Sequence, residues 1–153
     1  MLWSCLLHTK GKTNVQKGER RMRVFNVNAI EARKIESYPY KGIPYEVKGV
    51  TIQWLSKAGA DKDSPDYGLR FFAVKPGGEI PIHNHFYLQT MYMLSGQLTV
   101  FSHDPESDKK IKEETVGAHD VVFVPSMEPH SMINPSDSED ALFLCCIANV
   151  YEE

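Results

Sequence analysis

Three histidines and one glutamine have the residue types and the spacing of a metal-binding site. His83 and His85 are two residues apart, so on a β-strand both imidazoles point to the same face. Gln89 lies four residues further on and keeps that parity, and His130 lies on a later segment. Imidazole suits zinc, copper, iron and nickel, and it suits manganese when oxygen ligands are added. The four residues therefore predict a site for a divalent first-row metal, whose identity the sequence leaves open.

The residues around these ligands resemble the two motifs of the cupin superfamily. The segment 77–96 is similar to the first motif, Gly-x5-His-x-His-x3-Glu-x6-Gly, with Gln89 where the motif has glutamate. The second motif, Gly-x5-Pro-x-Gly-x2-His-x3-Asn, maps onto residues 119–134. His119 and Met127 replace its two glycines, whereas its proline, histidine and asparagine are all present. The resemblance covers roughly residues 47–147 and is to small single-domain cupins of the conserved-barrel type.

The strands that must position these ligands are indicated by the pattern of the chain. Residues 47–55 alternate between apolar and polar positions, which is typical of a half-buried strand. Many short strands with turn signals between them predict an all-β sandwich or barrel. The resemblance makes this specific, because it implies a cupin double-stranded β-helix, or jelly-roll barrel, with the ligands pointing into its cavity.

Three segments are expected along the chain. Residues 1–21 form a basic tail, residues 22–46 an N-terminal extension and residues 47–150 the barrel. In the extension we expect a short strand at 24–27, a helical turn at 31–34 and a loop at 38–45 that could cover one mouth of the barrel. Residues 75–78 are expected to turn the chain into the ligand strand.

The basic tail is suspected not to belong to the natural protein. Residues 17–22 read Lys-Gly-Glu-Arg-Arg-Met, which an unbroken purine run before a methionine codon can encode, as in a translated bacterial ribosome-binding site. Met22 would then be the natural start.

Gln89 is the informative departure from the motif. A carboxylate there would lower the net charge of the site, whereas a neutral amide leaves the full charge of the dication on its open positions and favours anionic ligands. The change counts against mechanisms in which a ligand glutamate shuttles a proton, as in quercetinase-like cupins. Neutral His/His/Gln/His sets resemble those of some cupin cyclases and of cupins acting on unsaturated uronates, and histidine-only sets occur in cupin oxygenases. Gln89 could instead lie just outside the ligand shell, but we favour coordination.

Alternation along the strands also suggests the walls of the pocket. Met91 and Met93 lie two and four residues after Gln89, so they are expected to point inward with it. We expect them to pack in the wall and not to bind the metal through their thioethers. Tyr87 is brought close to the metal, where it could either donate a hydrogen bond to a substrate or fill the wall. The resemblance places Cys145 inward from the last strand, as a small buried side chain.

Two further expectations concern basic side chains. Arg70 would be costly inside an apolar sheet, so we expect it on the outer face. The alternative is an inward position, paired with an acid or an anionic substrate. His8, His103 and His119 have no partner at ligand spacing and are expected to face solvent.

Composition and charge exclude several classes of function. A chain of 153 residues predicts one domain, and no apolar run is long enough to cross a bilayer. Residues 1–21 hold five of the 17 basic residues and one of the 20 acidic ones, so the remainder has a net charge of 12 − 19 = −7. An acidic body repels phosphate backbones, which argues against a nucleic-acid partner. Three cysteines make no disulfide framework, which favours a reducing, cytoplasmic location.

The sequence therefore predicts a metal-binding cupin that acts on a small molecule. The favoured class is a metalloenzyme, either an oxygenase or a lyase or isomerase that uses the ion as a Lewis acid. The alternatives are a non-catalytic sensor or binding module for a small metabolite and a structural relic that has lost its metal. A homodimer is expected, because small cupins often pair through their sheets.

Overall fold

The fold was obtained from a computed structural model, which describes residues 22–58 and 64–148. The predicted tail at 1–21 and the last two residues of the predicted barrel lie outside this part of the chain. No helix that could cross a membrane occurs among the described residues.

Eleven strands and one short 3-10 helix make up the described chain. In order, they are the 3-10 helix Val27–Ala29, β1 Arg33–Lys34, β2 Ser37–Tyr40, β3 Ile43–Glu46, β4 Lys48–Ser56, β5 Tyr67–His83, β6 Gln89–Ser95, β7 Gln97–His103, β8 Lys110–Gly117, β9 Val121–Val124, β10 His130–Ile133 and β11 Ala141–Ala148. The predicted all-β jelly-roll barrel is confirmed.

Nine of the strands form one antiparallel sheet that curls into a nearly closed barrel. Its central path runs β8-β7-β10-β5-β11-β6-β9, with β4 paired to β5 and β1 paired to β4. Strands β2 and β3 pair only with each other and form a separate hairpin. Consecutive strands such as β5 and β6 are therefore not neighbours, as in a jelly roll, where strands alternate between two faces of the barrel.

The longest strand, β5, links the two halves of the barrel. Its first part pairs with β4 and β11, and its end pairs with β10. The turn predicted at residues 75–78 is wrong, because the strand continues through them. It bends there instead, where Gly77 has a φ of 66°. At Gly78 a side chain would lie 2.7 Å from the carbonyl of Lys75, so the close approach of backbones also requires glycine.

A β-bulge near the end of β5 changes which side chains face inward. His83 pairs with His130, but Ile80 pairs with Met132, so one extra residue is inserted on β5. Before the bulge, the even-numbered side chains of β5, including Arg70 and Ile80, are buried, and after it the odd-numbered His83 is buried. Bulges re-aim side chains in this way. Side chains of opposite parity along one strand therefore reach the same cavity.

The hydrophobic core fills the barrel behind the ligand positions. Phe72 and Phe143 stack with ring centroids 4.9 Å apart. Met91 and Met93 are completely buried among them, together with Leu98. This packing holds together β5, β6 and β11, from which Arg70, His83, Gln89 and Cys145 project into the site.

The N-terminal extension differs from its prediction. The strand expected at 24–27 is wrong, because the chain is irregular there and leads into the 3-10 helix. The helical turn expected at 31–34 is also wrong, since Arg33–Lys34 pairs with β4. The expected loop at 38–45 is the β2–β3 hairpin. Lys41 and Gly42 turn with φ of 48° and 80°, the positive values that a two-residue hairpin turn requires.

Candidate metal centre

The three histidines of the motifs meet at one end of the barrel. His83 closes β5, His85 follows it in the next loop, and His130 opens β10 directly opposite His83. The ring centroids of His83 and His130 lie 4.3 Å apart, and those of His85 and His130 lie 5.1 Å apart. One nitrogen of each ring lies within 4.8 Å of the other two. This separation allows one ion to contact all three.

Backbone carbonyls orient each imidazole. The Nδ1 atoms of His83, His85 and His130 lie 2.8, 2.9 and 2.8 Å from the carbonyl oxygens of Pro81, Tyr87 and Glu128. A carbonyl can only accept, so each Nδ1 carries the proton and each Nε2 keeps a lone pair. The Nε2 atoms of His85 and His130 are buried and have no hydrogen-bond partner. Two orphaned acceptors in a cluster of three fit a divalent ion, and a hydrogen bond at the second nitrogen is the usual support of such a ligand.

Burial keeps the three histidines neutral. It lowers the pKa of His83 to about 4 and the pKa of His130 to about 3. Burial also lowers the pKa of His85, and the charge of Arg70 adds to that effect. Protons therefore do not compete for these nitrogens near neutral pH.

Gln89 lies beside the histidines and already forms a hydrogen bond with Arg70. Its side chain is 5% exposed and lines the same cavity. Its Oε1 accepts a hydrogen bond of 3.3 Å from Nη2 of Arg70. An amide oxygen has two lone pairs, so one remains for an ion, and coordination by Gln89 stays a prediction.

Arg70 faces inward, and its predicted position on the outer face is wrong. The side chain is only 6% exposed. Its guanidinium lies over the rings of Trp54 and Phe72, 5.5 and 5.3 Å from their centroids, and Nη2 also donates to Sγ of Cys145 at 2.9 Å. Aromatic faces and hydrogen bonds offset part of the cost of burying the cation. Burial alone would lower the pKa of Arg70, but Cys145 and Tyr87 outweigh it and raise the pKa, so the group is charged.

Two tyrosines cover the imidazoles. The ring of Tyr38 stacks on His83 at 4.6 Å, and the ring of Tyr87 stacks on His85 at 4.0 Å. Burial raises the pKa of Tyr38 to about 12, so its phenol stays protonated. Sequence reasoning singled out Tyr87 but not Tyr38; the only signal for Tyr38 was the aromatic-rich segment expected to cover the barrel mouth. A catalytic role for Tyr87 stays a prediction.

The side chains at the site enclose a small cavity. Its volume is about 20 Å³, enough for one or two water-sized groups. It is lined by Tyr38, Arg70, Phe72, Ile80, His83, His85, Tyr87, Gln89, Met132, Phe143 and Cys145. Cys145 is therefore part of the wall, and burial raises the pKa of its thiol. Met91 and Met93, the other predicted pocket residues, are buried in the core and are not among the residues that line this cavity.

A larger groove adjoins the cavity. It has a volume of about 410 Å³ and runs between the β7–β8 and β9 sides of the barrel. Met132 lines both spaces, and His130 lines the groove. A groove of this size is in the range of pockets that hold small organic molecules.

The remaining histidines lie away from the cluster. His103 was expected to face solvent, and this is wrong, because it is 6% exposed and contacts Ser131 Oγ at 2.8 Å and the Asp108 carbonyl at 3.0 Å. His119 is exposed, as expected, and its Nδ1 lies 2.9 Å from the Tyr92 hydroxyl. His8 lies outside the described residues.

Known structures share this fold. A polyketide cyclase from Streptomyces resistomycificus is 23% identical, with a TM-score of 0.63 over 87% of this chain and 88% of that one. An RmlC-like cupin from Shewanella frigidimarina is 16% identical, with a TM-score of 0.60 over 86% and 95%. A deletion mutant of Bacillus subtilis oxalate decarboxylase is 21% identical, with a TM-score of 0.61 over 84% of this chain and 30% of that one. At these identities the likeness shows the fold alone.

Sequence comparison gives the family. No curated protein sequence matches the chain. The model of the cupin domain family matches residues 70–147, which are 78 of the 153 residues and include all four predicted ligands. With the barrel and the histidine cluster, this match shows that the chain belongs to the cupin family.

Proposed function

We propose that this cupin is a metal-dependent enzyme that acts on a small organic molecule at the site formed by His83, His85, Gln89 and His130. The orientation of the imidazoles carries the proposal. Each Nδ1 faces a carbonyl, and the Nε2 atoms of His85 and His130 are buried without a partner. Leaving two buried acceptors unsatisfied costs free energy, which a bound ion would recover.

The chain would bind the ion through neutral donors only. Three imidazoles and one amide oxygen would leave one or two positions of a five- or six-coordinate ion open to another molecule. When bound, the ion would supply either Lewis-acid polarisation or redox chemistry with dioxygen, depending on the metal. Tyr87, stacked on His85, is the side chain we propose to contact the substrate.

The named neighbours support an enzymatic role. One is a polyketide cyclase and another a mutant of oxalate decarboxylase, so this barrel can hold chemistry on small organic molecules. A non-catalytic binding module is the second candidate. It is favoured because no Asp or Glu of the described residues lines the cavity, and a carboxylate is a common general base in such a site.

Metal binding is the first test. The metal-free protein is titrated with Zn²⁺, Mn²⁺, Fe²⁺, Ni²⁺ and Cu²⁺ by calorimetry, and one ion per chain is expected. His83→Ala and His130→Ala should each weaken binding by about 100-fold or more. His119→Ala is the matched control, because His119 is exposed and remote from the cluster. Equal binding by all three variants would overturn the proposal.

The metal of the native protein would separate the reaction classes. Iron, copper or manganese in protein purified without an affinity tag favours an oxygenase. Zinc or nickel favours a lyase or isomerase. A chain that carries no metal and retains ligand binding after His83→Ala favours the binding module.

We also propose a cytoplasmic homodimer with a barrel over 47–150 and an extension over 22–46. Cys145 and Cys146 are free thiols, which supports a reducing compartment. The outer face of β6 and β9 exposes Tyr92, Val121 and Phe123, at 39%, 62% and 57%. Adjacent exposed apolar side chains of this kind support pairing through that face, and light scattering would give the mass.

A further inference from the structure

The cavity at the metal site has an excess of positive charge. None of the described side chains that line it is an Asp or a Glu, and Arg70 is a cation. No carboxylate in the described part of the chain forms an ion pair with Arg70. A divalent ion would bring the formal charge of the cavity to about +3 with three neutral histidines. Buried charge is costly unless it is paired, and the described residues offer no carboxylate to pair with it, so the cavity favours binding of an anion from outside.

Arg70 has donors free to meet that anion. Its Nε is buried and has no hydrogen-bond partner. Its Nη2 contacts two acceptors, the amide oxygen of Gln89 at 3.3 Å and the sulfur of Cys145 at 2.9 Å. The amide is neutral, and so is the thiol, because burial raises its pKa. A guanidinium whose partners are all neutral keeps most of its capacity to bind an anion.

The guanidinium of Arg70 lies beside the predicted metal ligands, so an anion that it binds would be at the metal site. Arg70, His83, His85 and Gln89 line one cavity, and His130 clusters with the other two histidines. Gln89 connects Arg70 to this cluster because it contacts Arg70 and is itself a predicted ligand. An anion in this cavity would lie beside both the guanidinium and the histidines that would hold the ion.

We propose that the substrate of this cupin carries a carboxylate, and that Arg70 binds this carboxylate beside the metal. The inference rests on the proposed metal site. Size selects the chemical class, since a cavity of about 20 Å³ admits a small planar head group and disfavours the bulkier phosphate and sulfate. The remainder of the molecule must lie outside, and the groove of about 410 Å³, which is lined by His130 and shares Met132 with the cavity, provides the space.

The test uses acetate as the probe and the zinc-loaded full chain. Acetate affinity is measured by calorimetry for the wild type, Arg70→Met and Arg70→Lys, with acetamide as the uncharged probe of the same shape. Acetate should bind at least about tenfold more weakly to Arg70→Met, because a charge-assisted hydrogen bond is lost, and Arg70→Lys should retain part of the affinity. Zinc affinity should be unchanged or higher in Arg70→Met, since a nearby cation is removed. Acetamide should not distinguish the three proteins.

A second pair of variants avoids the loss of the arginine. Cys145→Asp places a carboxylate against Nη2 of Arg70, and Cys145→Asn is its uncharged control of the same size. Acetate should bind about tenfold more weakly to Cys145→Asp than to Cys145→Asn, while both retain zinc.

The outcomes separate the two proposals. The carboxylate inference is overturned, and the metal site stands, if zinc binds and acetate affinity is the same in Arg70→Met and the wild type. If Arg70→Met does not fold, equal acetate affinity in the two Cys145 variants has the same meaning. If zinc does not bind to the wild type, both are overturned.

Discussion

Tyr38 lies face to face with His83, with the ring centroids 4.6 Å apart and the planes inclined by 10°. Tyr38 belongs to the β2–β3 hairpin, whose strands pair with each other and not with the barrel sheet. The tip of this hairpin is held by Tyr40 and Lys41, which both bond to the Asp108 carboxylate at 2.8 Å. One wall of the metal cavity is therefore supplied by an element outside the barrel.

Removing the Tyr38 ring should expose the metal. We expect Tyr38→Ala to release zinc to a chelating dye at least about tenfold faster in stopped flow, because the stacked cover over His83 is lost. The free energy of unfolding should fall by about 2 kcal/mol for a half-buried aromatic side chain. Tyr38→Phe keeps the ring and should release zinc at the wild-type rate. Equal release rates in Tyr38→Ala and Tyr38→Phe would contradict a covering role.

The metal-free protein should lose stability as the pH falls below about 6.5. His83 and His130 have pKa values of about 4 and about 3 in the folded chain, against about 6.5 when unfolded. Between these values the unfolded chain binds protons that the folded chain does not, so acid favours unfolding. The stability from their neutral burial is complete above pH 6.5 and is lost progressively toward pH 4 to 3.

Urea denaturation at pH 7.5, 6.5 and 5.5 measures this dependence. Each of the two histidines should contribute a slope that approaches about 1.4 kcal/mol per pH unit. His130→Asn should show a shallower loss, because one of the two groups is removed. A stability that does not change from pH 7.5 to 5.5 would show that the native cluster binds protons normally.

Two residues at the motif glycine positions keep the backbone of glycine. His119 has a φ of 75° and Met127 a φ of 65°, a region that costs a side-chain-bearing residue about 1 kcal/mol. Met127 is 55% exposed, so Met127→Gly should raise the free energy of unfolding by about 0.5 kcal/mol, after the greater freedom of glycine in the unfolded chain is counted. Met127→Ala is the control and should give no gain, because it retains Cβ. A gain in Met127→Ala equal to that in Met127→Gly would assign the effect to the side chain.

Glycines 77 and 96 should differ in their tolerance of a methyl group. Both have positive φ, 66° and 69°. A Cβ at Gly77 would meet nothing within 4 Å, whereas at Gly96 it would collide with the backbone of Asp140 and lie 2.8 Å from Cα of Ala141. Gly77→Ala should cost about 1 kcal/mol for the backbone alone. Gly96→Ala should cost at least about 2 kcal/mol more from overpacking. Similar thermal midpoints for the two variants would show that the β6–β7 turn can move.

The motifs predicted the histidine cluster because parity and spacing are local. His83 and His85 share a face on any extended segment, and the order of the two motifs placed His130 opposite them. The apolar alternation at 47–55 predicted β4 for the same reason. These features depend on residues that are close in the chain, or on a pair of motifs whose histidines, such as His83 and His130, are known to meet in the fold.

Arg70 was misplaced because its environment depends on distant residues. A count along β5 from His83 puts an even-numbered residue on the opposite face, and only the bulge beside Ile80 reverses that parity. Its partners, Gln89 and Cys145, come from two other strands. The hairpin at 38–45 was missed because its turn uses Lys41 at positive φ, which residue type alone does not signal.

The continuity of β5 fixes the distance between two side chains at the site. Arg70 and His83 are thirteen residues apart on one uninterrupted strand, so the gap between guanidinium and imidazole is set by hydrogen-bonded backbone and not by a loop that can lengthen or shorten. Insertions or deletions in the surface loops would not change that distance. Under the proposed function, a change in the size of the substrate would have to come from the β2–β3 hairpin and the groove, while the distance between Arg70 and His83 stayed constant.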